Sequence, residues 1–265
     1  YGYFQPSGEL VIAPINVSAG SLIDGTAHRR SLPPLYNQYQ RIAKGQGEGL
    51  AGRLQALLGP LYMTGYAIAD QLAVNQYYGA EQVAVVSASS KTSIGLAEAL
   101  AEDHQSPRVV GLTSSQNVTF VEGLGIYDRV VAYDAIDSLS VLATVVVDMA
   151  GNGETAQRLR HHFTGLLNYY MSVGLTHWDK AAVSAGAPQE PHEMFFAPTY
   201  MVERTKALAP GEFNRRLQAF LERSSAKAAT WLVLNEVDSV EALGVRYTDI
   251  CAGIMNPSEG IICKL

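Results

Sequence analysis

The stretch that decides the fold is Val83-Ala84-Val85-Val86 followed by Ser87-Ala88-Ser89-Ser90-Lys91-Thr92-Ser93-Ile94-Gly95-Leu96-Ala97. Its four leading apolar residues are typical of a buried strand, and the small polar residues that follow are typical of a turn. A helix comes next, because Ile94, Ala97 and Leu100 recur at helical spacing. A strand, a small-residue turn and a helix in this order predict one unit of an α/β fold.

The same alternation continues through the middle of the chain. Further apolar strands are predicted at 109–112, 130–133, 145–148 and 169–174, and helices at 94–101, 118–124 and 159–166. Continuous apolar strands that alternate with helices are buried on both faces, which indicates a parallel sheet between two helical layers. The sequence therefore predicts an α/β fold with a Rossmann-like, doubly wound parallel sheet.

The flanking parts of the chain have other patterns. Residues 1–36, with Leu10-Val11-Ile12, predict short strands and turns, because prolines and glycines break them repeatedly. Helical spacing begins at Leu54 and continues beyond Pro60, and it returns at 213–221. Short strands are predicted at 231–234 and 260–265, and a loop at 178–193.

Composition excludes several classes of protein. The 265 residues are 48% hydrophobic and 17% charged, which is enough apolar material for a large core. The net charge of −6 argues against nucleic acid and against an anionic membrane as partners, since both need a basic face. Cys251 and Cys263 form no CxxC pair, so we expect packed thiols in a reducing cytoplasm and no structural zinc cluster.

The turn after the first strand is the candidate phosphate site. Free backbone N–H groups and the helix dipole attract phosphate at such a place, and we expect Ser89, Ser90, Lys91 and Thr92 to hold it. The usual glycine fingerprint of dinucleotide folds is absent. Only Gly95 stands at its last position, where it would pack the helix on the sheet, and Thr92 replaces the middle glycine. An ordinary small-residue turn remains the alternative.

The end of the second strand bears on the choice of nucleotide. An acidic residue there accepts the ribose hydroxyls of NAD, and Leu112-Thr113-Ser114-Ser115-Gln116-Asn117 contains none. Ser114, Ser115 and Asn117 instead offer donors to a 2′-phosphate, which favours NADPH and makes NADH the less favoured cofactor. Thr113 beside them is a further candidate for binding the cofactor. An ordinary polar turn is again the alternative.

Several phrases resemble one family. They are Tyr1-Gly2-Tyr3-Phe4, Pro34-Leu35-Tyr36-Asn37-Gln38-Tyr39, the turn at 87–92, Gly111-Leu112-Thr113-Ser114, Phe120-Val121-Glu122-Gly123-Leu124-Gly125, Tyr127-Asp128-Arg129-Val130-Val131 and Met194-Phe195-Phe196-Ala197-Pro198. Through them the chain resembles the medium-chain dehydrogenase/reductase superfamily on its zinc-independent side of quinone oxidoreductases and enoyl reductases. It is most similar to a bacterial branch defined by a domain of unknown function.

The resemblance implies how the chain is divided. Residues 1–58 and 190–265 would form part of a GroES-like β-barrel catalytic domain, and residues 59–189 the Rossmann-like dinucleotide-binding domain inserted in it. It also implies that about the first quarter of a full-length member would precede Tyr1, so the barrel here would be truncated. By analogy we expect a homodimer that acts on a small-molecule substrate.

The resemblance also assigns residues to the cofactor. It places Thr64 near the nicotinamide ribose and Tyr133 near the adenosine phosphate. Ser172, Val173 and Gly174 match the strand whose backbone faces the nicotinamide amide. Asp148 with Gly151 matches the Asp-x-x-Gly of the family at a strand end, and Phe195 and Phe196 fall in a loop near the cofactor or substrate.

Proton donors are less well marked. His177 follows a predicted strand end and is the best single candidate, with Tyr66 and Tyr36 as rivals whose default role is packing. We expect His161-His162 to be a solvated pair, and the segment 190–193 to be a loop without a third metal ligand. The sequence thus predicts no metal site.

Two functions remain open at this stage. The first is an NAD(P)H-dependent oxidoreductase that transfers a hydride to a carbonyl, quinone or activated alkene without zinc. The second is a non-catalytic relative in which the altered turn serves a binding or scaffold module. A catalytic domain cut from a larger synthase is a third, weaker idea.

Overall fold

The computed structural model describes residues 11–45, 47, 49–173 and 191–264. Its strands are β1 (Pro14–Ile15), β2 (Ser21–Asp24), β3 (Gln38–Gln40), β4 (Gln82–Val86), β5 (Arg108–Thr113), β6 (Arg129–Ala132), β7 (Thr144–Asp148), β8 (Leu167–Ser172), β9 (His192–Met194), β10 (Val233–Val237) and β11 (Glu259–Cys263). Its α-helices are α1 (Leu50–Val74), α2 (Lys91–Ala101), α3 (Val118–Gly123), α4 (Gly153–His162), α5 (Ala197–Ala207), α6 (Glu212–Ala228) and α7 (Val240–Cys251).

The centre of the fold is a six-stranded sheet in the order β6-β5-β4-β7-β8-β9. Every neighbouring pair in it is parallel. The chain runs outward from β4 through β5 to β6, then returns to the other side of β4 and continues outward through β7, β8 and β9. This is the Rossmann strand order, with its topological switch point between β4 and β7. The predicted α/β class with a doubly wound parallel sheet is confirmed.

Both faces of this sheet are covered, which explains the continuous apolar strands. On one face Val83, Val85 and Val145 pack with residues of α1 and α2. On the other face Ala84, Val86 and Val146 pack with Leu159 and Phe163 at α4. Because successive side chains of a strand point to opposite faces, a strand between two helical layers cannot alternate with polar residues.

Two smaller sheets lie outside the central one. The strands β1, β2 and β3 form an antiparallel sheet near the start of the described chain. The strands β10 and β11 pair in parallel, with α7 between them in sequence. A smaller β region therefore accompanies the Rossmann-like sheet, as the α/β prediction required. The predicted domain limits stay a prediction, and the limit between 58 and 59 falls inside α1.

Helices α1 and α2 cross at two glycines. A Cβ atom on Gly65 would lie 2.5 Å from the backbone nitrogen of Leu96, and one on Gly95 would lie 2.8 Å from the Tyr62 ring. We expected Gly95 to pack α2 on the sheet, and this was wrong. The absence of a side chain at Gly95 instead allows Tyr62 of α1 to pack directly against the backbone of α2.

Other local expectations also need correction. The segment 190–193 is not all loop, since His192 begins β9, and α5 and α7 were not predicted. Val11 and Ile12 lie in no strand. Cys251 is exposed and therefore not a packed thiol. His162 is half-buried, with its Nε2 atom 3.1 Å from the Leu139 carbonyl oxygen, so only the His161 half of the predicted solvated pair is exposed.

Candidate functional site

The carboxyl ends of β4, β5, β6, β7 and β8 all lie at one edge of the sheet. In a parallel sheet the carboxyl ends of the strands share an edge, and ligands of open α/β sheets bind there at the switch point. Val86, Asp148 and Ser172 are in register across β4, β7 and β8, so these three strands end at one level. This edge is the candidate site.

The turn between β4 and α2 is closely defined. Ser87 has a φ of 65°, which lies in the left-handed region. Any residue other than glycine adopts this conformation at a cost in free energy. Ser90 caps α2, because its Oγ atom accepts a hydrogen bond from the Ser93 N–H at 3.2 Å. In the described part of the chain, the N–H groups of Lys91 and Thr92 donate to no acceptor. Two free donors at the positive end of a helix fit a phosphate group.

Polar side chains from the neighbouring strands meet this turn. The Thr113 hydroxyl donates to the Ser89 Oγ atom at 3.1 Å, and the Asn117 amide donates to the same atom at 3.3 Å. The Ser87 N–H donates to the Tyr133 hydroxyl at 3.0 Å. Burial is the main cause that raises the pKa of Tyr133 to about 12, so this hydroxyl is neutral. The structure thus brings together residues that the sequence placed on three different strand ends.

The side chain of Lys91 is directed to the end of the chain. Its Nζ atom donates to the Pro257 carbonyl oxygen at 3.2 Å. Burial lowers the pKa of Lys91, and the nearby Glu259 carboxylate opposes part of that shift. Lys91 therefore connects the turn to the segment before β11, and its positive charge remains close to the first turn of α2.

A carboxylate reaches the end of β5 from the next strand. The Ser115 hydroxyl donates to Asp134 Oδ2 at 3.3 Å. No acidic residue occurs at 114–117, directly after β5. Asp134, in the segment after β6, places a carboxylate beside this position through its contact with Ser115. Ser114 caps the short 3-10 turn here and forms no side-chain hydrogen bond as its cap.

Asp148 organises the loop after β7. Its Oδ1 atom accepts the N–H groups of Ala150 at 2.8 Å and Gly151 at 3.0 Å. Its Oδ2 atom accepts the Tyr170 hydroxyl at 2.7 Å. Its carbonyl oxygen accepts the Val173 N–H at 2.9 Å, which positions the backbone at the end of β8. The family-like Asp-x-x-Gly phrase is therefore the turn between β7 and α4, and its aspartate is hydrogen-bonded to Tyr170 of β8 and to Val173.

One contact at this edge was not predicted, because the sequence placed Ser172 in the strand that faces the nicotinamide but His192 in a loop. Ser172 Oγ and His192 Nε2 lie 2.9 Å apart across β8 and β9. The two residues are 20 positions apart, and the pairing of β8 with β9 brings them together. No local sequence motif therefore contains both of them. The residues His192-Glu193-Met194-Phe195 show no alternation of apolar and polar types, so no periodic signal indicates this strand.

Two predicted residues lie on α1. Thr64 donates its hydroxyl to the Pro60 carbonyl oxygen at 2.9 Å within the helix. Tyr66 packs between the rings of Phe213 and Phe220, with centroid distances of 5.9 and 5.1 Å. Burial first, and then the Asp70 carboxylate, raises the pKa of Tyr66. The role of Tyr66 as a proton donor and the role of Thr64 at the ribose stay predictions.

Two further predicted residues, Gly174 and His177, lie outside the described residues. Within the described ranges, no three His, Cys, Asp or Glu residues are grouped so that they could hold a metal ion. Among the helices that the structure describes, none combines the length and the apolar character needed to cross a membrane.

Comparison with known sequences now places the chain. Residues 1–256 match the profile of a family described as a protein of unknown function, DUF2855. The chain belongs to this family. No curated protein sequence matches this DUF2855 member.

Solved structures share the fold of this DUF2855 member. The yhdH oxidoreductase from Salmonella enterica in complex with NADP superposes with a TM-score of 0.54 at 14% identity, over 92% of this chain and 74% of that one. CurA from Vibrio vulnificus in complex with NADPH gives 0.53 at 12%, over 86% and 68%. A putative NADPH:quinone reductase from Mesorhizobium loti gives 0.55 at 10%, over 77% and 58%. The DUF2855 member therefore has the fold of medium-chain dehydrogenase/reductases, as the resemblance predicted.

Proposed function

We propose that this protein is an NADPH-dependent oxidoreductase that transfers a hydride to a carbonyl, a quinone or an activated alkene without zinc. The observation that carries the proposal is the turn at 87–92. It follows the central strand β4 at the switch point of a sheet in Rossmann order, and it presents the N–H groups of Lys91 and Thr92 at the start of α2. Fold neighbours that hold NADP or NADPH add support.

The residues at the edge fit a dinucleotide. The N–H groups of Lys91 and Thr92 would bind the pyrophosphate, and the charge of Lys91 would strengthen that contact. Tyr133 would border the adenosine, and the Val173 segment would face the nicotinamide amide. When bound, the nicotinamide supplies the hydride. The protein would orient the acceptor, exclude water and stabilise the charge that develops on the acceptor oxygen.

The choice between the two nicotinamide nucleotides depends on opposed groups. Ser114 offers a hydroxyl to a 2′-phosphate at the end of β5, which favours NADPH. Asp134, bonded to Ser115, places a negative charge beside the same position and opposes that phosphate. We propose NADPH as the preferred cofactor and NADH as the weaker one, with Asp134 limiting the preference.

A second candidate is a non-catalytic binding or scaffold module. The hydrogen bonds inside the turn favour it, because Ser89 is already bonded to Thr113 and Asn117 and Lys91 to Pro257. A turn that satisfies its own polar side chains gains less from a ligand than one that leaves them free.

Partners and location are proposals of the same kind. We propose a small-molecule substrate, a homodimer by analogy with the fold, and no nucleic acid or membrane partner, in keeping with the net charge of −6. The two lone cysteines favour the cytoplasm.

Calorimetric titration with NADPH and NADH tests the proposal. We expect micromolar binding of NADPH by the wild-type protein and weaker binding of NADH. Lys91→Ala should weaken both by about 10- to 150-fold, since a charge-assisted contact is worth roughly 1.5–3 kcal/mol. Ser114→Asp should weaken NADPH alone, and Asp134→Asn should strengthen NADPH alone.

Lys206→Ala is the matched control for the loss of a lysine, because Lys206 is exposed on α5 away from the turn. It should leave both affinities unchanged. Absence of binding of both nucleotides to folded wild-type protein would contradict the proposal and favour the non-catalytic module.

A further inference from the structure

We propose that Ser172 delivers a proton to the reduced substrate and that His192 resupplies Ser172. The pair is the one described above, with Ser172 Oγ and His192 Nε2 2.9 Å apart. The inference rests on the proposed function, because it assigns a step of the hydride-transfer reaction. It names a catalytic residue, Ser172, and a residue that acts through it, His192.

The position of the pair supports this role. Ser172 is the last residue of β8 and is in register with Asp148 at the end of β7. The next residue, Val173, is fixed by the Asp148 carbonyl oxygen at 2.9 Å. The strands β7 and β8 belong to the second half of the Rossmann sheet, and each half of such a sheet binds one mononucleotide at its carboxyl edge. The Ser172 hydroxyl thus lies at the edge where the reactive half of a bound dinucleotide belongs.

The surroundings hold the His192 ring in place. The ring meets the Tyr170 ring at 62°, with centroids 5.6 Å apart. Tyr170 is itself fixed by its hydrogen bond to Asp148 at 2.7 Å and by the Arg160 guanidinium, 4.3 Å from the centroid of its ring. An orienting contact of this kind keeps Nε2 directed at Ser172, as a proton-transfer pair requires.

Exposure separates this pair from Tyr66, one of the predicted proton donors. His192 is exposed and Ser172 half-buried, so a substrate reaches the hydroxyl and solvent reaches the imidazole. Tyr66 packs between two phenylalanine rings instead. Met194, on the same face of β9 as His192, and Phe196 are 57% and 51% exposed. They offer an apolar surface to an acceptor such as a quinone ring.

The transfers of one hydride and one proton balance in this step. The protonated imidazole donates its Nε2–H to Ser172 Oγ, which leaves the serine O–H free to donate to the acceptor oxygen. As the hydride adds to the acceptor and reduces it, the developing alkoxide or phenolate takes the serine proton, and the serine takes the Nε2 proton. His192 ends neutral and regains a proton from solvent. The cofactor is oxidised by two electrons, and the acceptor gains one hydride and one proton.

The test uses the full chain with saturating NADPH and 9,10-phenanthrenequinone as the probe. Ser172→Ala and His192→Gln should each lower kcat by about 10²-fold, the usual contribution of a general acid. The Kd for NADPH should change less than about twofold, because the strand at Ser172 is assigned to the cofactor through its backbone, which Ser172→Ala leaves in place, and His192 is not assigned to it. Free imidazole should restore part of kcat in His192→Gln and none in Ser172→Ala, an effect that a merely structural role of His192 would not produce.

His104→Gln is the control, since His104 is exposed beyond the end of α2. Its kcat and melting temperature should equal those of the wild type. Wild-type kcat in either variant of the pair would overturn this proposal while leaving the proposed function intact, as would a loss in His192→Gln that imidazole does not repair. Failure of the wild-type protein to bind NADPH or to oxidise it with the probe would overturn both.

Discussion

The Asp148 carboxylate is the most heavily used polar group at the carboxyl edge. It is 3% exposed, and it accepts two backbone N–H groups and the Tyr170 hydroxyl. A buried carboxylate costs free energy unless its lone pairs are satisfied, so each of these donors stabilises the loop after β7. The loop in turn fixes the Val173 backbone beside the candidate nicotinamide position.

Tyr170→Phe removes one of these donors without removing the ring. We expect a loss of about 1.5–3 kcal/mol in the free energy of unfolding, since the hydroxyl bonds a charged partner in a buried place. Denaturant unfolding followed by circular dichroism measures it. Tyr247→Phe is the control, because Tyr247 is 63% exposed, and it should cost nothing measurable. Equal stability of the two variants would contradict the role given to the Asp148 bond.

Single residues of the site could be predicted where they lie in the turn at 87–92 or at or just after the end of a predicted strand, as Thr113, Asn117 and Tyr133 do. The turn at 87–92 was found because strand, turn and helix follow one another in sequence. Asp134 and His192 were missed because they reach the edge from other strand ends, by contacts with Ser115 and Ser172. Such proximity depends on strand order and register, which a periodic pattern does not contain.

Between elements, the crossing of α1 and α2 decides where the turn lies. The three atoms nearest to a Cβ at Gly65 would all be backbone atoms of α2, among them the Gly95 carbonyl carbon at 2.8 Å and the Thr92 carbonyl oxygen at 2.9 Å. Backbone cannot move aside as a side chain can. The position of the α2 N-terminus, and hence of the free N–H groups, depends on this close approach.

Gly65→Ala should therefore destabilise the protein by about 1–3 kcal/mol, the usual cost of overpacking. It should also weaken NADPH binding, because α2 must shift. Gly244→Ala in α7 is the matched control: nothing lies within 4 Å of its added Cβ, and it should stabilise the protein by about 0.8–1 kcal/mol. Thermal melting and the calorimetric titration measure both effects. Stabilisation by both changes alike would show that helix propensity, and not the crossing, sets the result.

Elements were predictable in proportion to their apolar pattern. The strands β4, β5 and β7 were found because they are buried on both faces and read as continuous apolar runs. The strand β9 has three residues and owes its order to the ladder with β8, so its sequence carries little signal. Helix α7 buries no residue, and only its cap at Ser239 and the acidic Glu241 in its first turn could have marked its start.

For the molecule as a whole, stability should depend on pH through a buried carboxyl group. Glu98 on α2 is 2% exposed, and its Oε2 atom has no hydrogen-bond partner among the described residues. Burial chiefly raises its pKa, with Glu102 adding to the shift and Lys227 opposing it. The folded state therefore holds this proton more tightly than the unfolded state does.

The sign of the effect follows from linkage. A carboxyl whose pKa is raised on folding contributes stability at low pH, and the contribution is lost as the pH rises from the unfolded pKa, about 4.3, through the folded one. Glu98→Gln should melt at a higher temperature than the wild type at neutral pH, and the difference should shrink toward pH 4. Glu122→Gln, at an exposed residue of α3, should show no such trend. A constant difference across pH would contradict the buried-carboxyl account.

Helix α1 contacts both the C-terminal strand β11 and helix α2. Its 25 residues extend roughly 37 Å at 1.5 Å per residue. Leu57 of this helix lies beside Gly260 of β11, and the crossing at Gly65 follows about two turns, or roughly 12 Å, further along. A displacement of the helix at Leu57 would therefore also move the crossing. On the proposed function, sequence drift in the C-terminal strands would in this way retune nucleotide affinity.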